Sequence, residues 1–168
     1  MSISVRRYVF VDQCLVPGLF NAFLAGGLGW WANREIHEIP FWVWGANSVV
    51  LDFLLTACFL PSIVCLVVSP LVAYHMRKGK VDRAALDLLK SAWLPSRSVW
   101  TRSILAALLA IVASSPPLLL WWWLGPQTVS VATFIAAKMF FVAIMSGGIT
   151  ALIAWWAMLD TSRKLMPL

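Results

Sequence analysis

Polar positions are sparse along this chain, and their placement divides it into four long apolar runs. A helix crossing the hydrocarbon of a bilayer needs about 20 mostly apolar residues at about 1.5 Å each. Four stretches meet that need: from about Val9 to Trp31, Val43 to Tyr74, Ser103 to Leu124 and Val129 to Leu159. The second and fourth are about ten residues longer than required, so they are expected to tilt, kink or project past the bilayer. Residues 76–102 form the one soluble-looking segment. There Val81, Ala85, Leu88, Leu89 and Ala92 recur at helical spacing on one face, with Asp82, Arg83, Asp87 and Lys90 on the other. Pro95 ends that helix, and Ser96 or Ser98 is placed to cap the next. The pattern predicts an all-α integral membrane protein forming a single membrane domain over residues 1–168. It is a four-transmembrane-helix bundle with a short cytoplasmic amphipathic surface helix between spans 2 and 3.

Composition agrees. Of the 168 residues 61% are hydrophobic and 12% charged, whereas soluble domains run at about 45–50% and about 25%. So little charge cannot cover a soluble fold, and three cysteines do not make a disulfide scaffold.

Charge adds direction. Eleven of the 13 Lys and Arg side chains lie in the termini and the middle segment; the exceptions are Arg34, between spans 1 and 2, and Lys138, inside span 4. Cytoplasmic segments carry the Lys/Arg excess, so both termini are expected in the cytoplasm. With no glycosylation sequon and no organelle-type leader, a bacterial inner membrane is the expected location. Arg77, Lys78, Lys80, Arg83, Lys90 and Trp93 should rest on the lipid surface, each cation gaining about 1 kcal/mol from anionic headgroups. The net charge of +6 is therefore topological, and nucleic-acid binding is not expected. Tryptophans cluster at the predicted boundaries (Trp30, Trp31, Trp42, Trp44 and Trp121 to Trp123 at one, Trp93, Trp100, Trp155 and Trp156 at the other), as membrane anchors do. The first span, carrying Asp12 and Asn21 within a long apolar run, reads as a retained helix and not a signal peptide.

Candidate chemistry is scarce. No GxSxG, HExxH, CxxC or phosphate-cradling glycine loop occurs, and His37 and His75 fall on opposite sides of the membrane. Cys14, Cys58 and Cys65 lie in spans, where thiols act as small hydrophobes. Glu35, His37 and Glu38 share a loop but lack further fixed ligands, so no metal or cofactor is expected, and no enzyme activity.

The informative residues are the polar ones inside spans. Counted from the predicted boundaries, Asn21, Asp52 and Lys138 each lie about 14–15 Å deep, near the midplane. An Asp52–Lys138 ion pair between spans 2 and 4 is expected, with Asn21 close by. Pro17 and Gly18 should bend span 1. Ser114 and Ser115 are expected to re-satisfy the Val112 and Ala113 carbonyls freed by Pro116 and Pro117. Gly18, Ala22 and Gly26 on span 1, and Ala143, Gly147 and Ala151 on span 4, form small-residue faces that suit close helix packing, within the chain or between copies. Two functions fit. One is a non-catalytic accessory subunit that assembles, stabilises or inhibits a membrane partner; the other is an ion or solute transporter, or channel-like oligomer, using Asn21, Asp52 and Lys138. Four helices barely enclose a pathway, which favours the first.

Overall fold

The computed structural model describes residues 3–43, 48–81 and 98–165, with 163–165 described by backbone alone. The expected surface helix, with Arg83, Lys90 and Trp93, lies outside the described residues. Four long helices follow one another: α1 (Val5–Asn33), α2 (Val49–Arg77), α3 (Val99–Leu124) and α4 (Val131–Leu165). All four are long and apolar enough to cross a membrane, which makes this an all-α integral membrane protein. The strands β1 (Glu38–Pro40) and β2 (Thr128–Ser130) pair antiparallel, with Ile39 opposite Val129. They tie the α1–α2 connection to the α3–α4 connection and define a ribbon end of the bundle, opposite the end that holds both termini.

Local chemistry sets the helix limits. Ser48 caps α2, its hydroxyl accepting from the Leu51 amide at 3.3 Å. The helix therefore begins at Val49, not near Val43, because Phe41 is spent on the buried apolar cluster under the ribbon with Ile39 and Val129. At its other end α2 closes in a Schellman motif: Lys80 N–H bonds the His75 carbonyl, Gly79 N–H bonds Met76, and Gly79 takes φ +70°. Ile3 N–H bonds the Lys80 carbonyl at 2.9 Å, pinning the N-terminal segment there. Ser98 caps α3, which thereby starts one turn before Ser103.

Proline shapes the interiors. Pro17 lacks an N–H and its ring crowds the carbonyl four residues back. The helix answers not with a simple kink but with a π-helical stretch over Tyr8–Leu15, in which Val16 N–H reaches the Val11 carbonyl. Ser114 and Ser115 donate to Ala110 and Ile111, not to the Val112 and Ala113 carbonyls that the prolines free. A helical serine bends back onto the carbonyl four residues before it, and so cannot reach those two.

Packing centres on α4. Helix α1 lies along α4, α4 along α2, and α2 along α3, with a lighter α3–α4 contact. Closest approach comes from the small residues of α1 and α4: a Cβ added to Gly18 would stand 2.9 Å from the Ala143 carbonyl, and one on Gly147 would stand 2.9 Å from that of Cys14. These faces meet within the chain. Ala22 and Gly26 are buried in the same seam, and Ala151 packs against the larger apolar cluster at the termini end.

Candidate functional site

Asp52 occupies the first turn of α2, where the helix dipole favours a carboxylate. Lys138 reaches it from α4, its Nζ donating to Oδ1 at 2.8 Å. The lysine stem passes Gly29 of α1, where an added Cβ would lie 3.6 Å from the Lys138 Cδ, in ordinary van der Waals contact. Lys138 Nζ also sits 5.6 Å from the centre of the Phe134 ring. Beside the pair is a cavity of about 270 Å³, lined in part by Asn33, Ser48, Asp52 and Lys138. Asp52 Oδ2 is buried there without a hydrogen-bond partner. The Asn33 amide is occupied, donating to the Gly29 carbonyl at 2.8 Å.

Asn21 is elsewhere. Its Nδ2 donates to Ser146 Oγ at 2.6 Å. Ser146 lies eight residues beyond Lys138, or about 12 Å along the helix. The structure thus brings Asp52 and Lys138 together and leaves Asn21 two turns deeper. The even depth expected from the sequence depended on α2 starting at Val43; with the start at Val49, Asp52 is at the helix end and the pair at the ribbon boundary.

A second ion pair closes the other end. Arg102 of α3 donates to Asp160 of α4 at 3.0 Å, with only 5% and 7% of the two side chains exposed. The Arg102 guanidinium also stands 5.9 Å from the Trp156 ring centre. Sequence reasoning missed this pair because it placed Arg102 in the middle loop and Asp160 past the last span. The Ser98 cap carries the missing signal, since it sets Arg102 one turn inside α3. Nearby, the fully buried Tyr8 of α1 brings its hydroxyl to within 2.8 Å of Nδ1 of His75 on α2.

On α4, Lys138 and Asp160 are 22 residues apart, which spans about 33 Å against about 30 Å of hydrocarbon. The two charged pairs thus stand about one hydrocarbon thickness apart along α4. Cys65, buried on α2, points its thiol at the Val99 carbonyl of α3 at 3.6 Å, another helix-to-helix tie. Among the described residues, no three His, Cys, Asp or Glu side chains stand together as a metal site requires.

The tryptophans divide. Trp30, Trp31, Trp100 and Trp123 are exposed, as anchors at a lipid boundary would be. Trp121 instead stacks on Phe41, and Trp122 on Trp42, fastening the end of α3 to the ribbon. Arg77, Lys78 and Lys80 are exposed at the termini end. The chain matches no protein-family model, no curated protein and no solved structure.

Proposed function

We propose that this chain is a non-catalytic interaction or accessory subunit that steadies or inhibits a membrane-embedded partner. One observation carries the reading: four of the described polar side chains in the spans join the chain's own helices. Lys138 joins α4 to α2, Arg102 joins α3 to α4, Asn21 joins α1 to α4, and Tyr8 joins α1 to α2. A proton or ion path needs titratable groups in succession through the slab. Between the two charged belts, the described polar contact that links helices near mid-slab is the neutral Asn21–Ser146 bond. Such a molecule offers a stiff, apolar-sided body to a partner. Both termini lie on the cytoplasmic face of a bacterial inner membrane in this reading, supported by Arg6, Arg7, Arg77, Lys78 and Lys80 at the termini end.

Affinity purification of the tagged chain from its native membranes in mild detergent tests this. A stoichiometric second protein is expected; recovery as a pure homo-oligomer would overturn the proposal.

A second reading, an ion or solute transporter or channel-like oligomer, draws on the cavity beside Asp52 and Lys138 and on the unpartnered Asp52 Oδ2. It requires flux that depends on Lys138.

A further inference from the structure

At the termini end a crevice of about 460 Å³ opens between α2, α3 and α4, a size within the range of about 300–1,000 Å³ typical of small-molecule sites. Its wall changes character along α2. Leu66, Pro70 and Ala73 come first, then Tyr74, then Arg77, with Arg102 facing from α3. From Leu66 to Arg77 is eleven residues, or about 16 Å of rise. Because α2 has 29 residues, about 43 Å of helix, its last turns stand at headgroup level when its middle fills the slab.

Charge follows the same gradient. Arg102 is matched by Asp160, and Arg77 at the mouth is exposed, so the described lining carries a net positive charge. Lys78 adds to the local field, its ammonium 5.4 Å from the centre of the Tyr74 ring. A wall that is apolar at hydrocarbon depth and cationic at headgroup depth complements one class of occupant. We infer that the crevice seats one anionic phospholipid, with its phosphate at the exposed Arg77 and an acyl chain along Leu66, Pro70 and Ala73. Basic pockets between spanning helices recognise phospholipid headgroups on this principle. A free phosphate would use Arg77 but leave the apolar wall uncovered, so the lipid is the assigned source. The inference does not depend on the accessory-subunit reading.

Native mass spectrometry of the full chain, released from mixed micelles of phosphatidylglycerol and phosphatidylcholine with matched chains, tests it. The wild type should retain one phosphatidylglycerol with a preference of about tenfold over phosphatidylcholine. Arg77→Gln, an exposed change, should lower that preference about fivefold, the loss of one cation near a headgroup. Arg34→Gln at the ribbon end should leave it unchanged, and millimolar inorganic phosphate should not displace the lipid. Equal retention of the two lipids, or an Arg77→Gln protein that behaves as wild type, overturns the inference. Displacement by inorganic phosphate overturns it too, assigning Arg77 to a free anion.

Discussion

The two ion pairs differ in how far the protein encloses them, and that decides what each is worth. Asp52 and Lys138 keep 33% and 13% of their side chains exposed, whereas Arg102 and Asp160 are almost fully enclosed. Removing one partner of an enclosed pair strands a charge, at a cost of about 3–5 kcal/mol. A charged hydrogen bond that is only partly enclosed is worth about 1.5–3 kcal/mol. Asp160→Asn should therefore lower the melting temperature of the detergent-solubilised protein more than Asp52→Asn does. The Asp52→Asn, Lys138→Met double variant should lose less than the sum of its two singles, because the second change strands nothing further. Strictly additive losses would mean that the two side chains do not interact. Asp52 and Lys138 were legible in the sequence because each is a lone charge in an apolar run. Arg102 and Asp160 were not, because each sits beside other polar residues and reads as loop until the helix ends are known.

Among the elements, the α1–α4 seam is the most sensitive to volume. Gly147 and Gly148 are neighbours on α4, yet a Cβ at Gly147 would press on the Cys14 backbone while one at Gly148 meets nothing. Backbone cannot swing aside as a side chain can. Gly147→Ala should destabilise by about 1–3 kcal/mol, the usual cost of overpacking. Gly148→Ala should be neutral or stabilising by up to about 1 kcal/mol, the helix-propensity gain over glycine. Gly26→Ala falls between them, because its obstacle is the flexible Met139 side chain. Thermal unfolding of the three variants checks the order, and a Gly147→Ala protein as stable as wild type would contradict the seam. The small-residue spacing was readable as a packing face, but which face met which was not, since spacing names no partner. The ribbon was hidden for a related reason: Glu38–Pro40 and Thr128–Ser130 are too short to show an alternating pattern, and they become strands by pairing with each other.

At the scale of the whole molecule, α4 acts as the pillar, taking three of the five polar ties described between helices. Its length sets Lys138 and Asp160 about one hydrocarbon thickness apart. Four spanning helices could be read from apolar run length alone, because bilayer thickness imposes it. Their spatial order could not, because lipid-facing and protein-facing surfaces are both apolar and leave no stripe to read. On the proposed reading, the charged side chains of the spans hold the bundle and do not form a route through it. Ion flux into proteoliposomes, comparing wild type with Lys138→Met across a panel of cations, anions and protons, tests this. Neither protein should exceed empty liposomes; flux through the wild type that Lys138→Met abolishes would contradict the account.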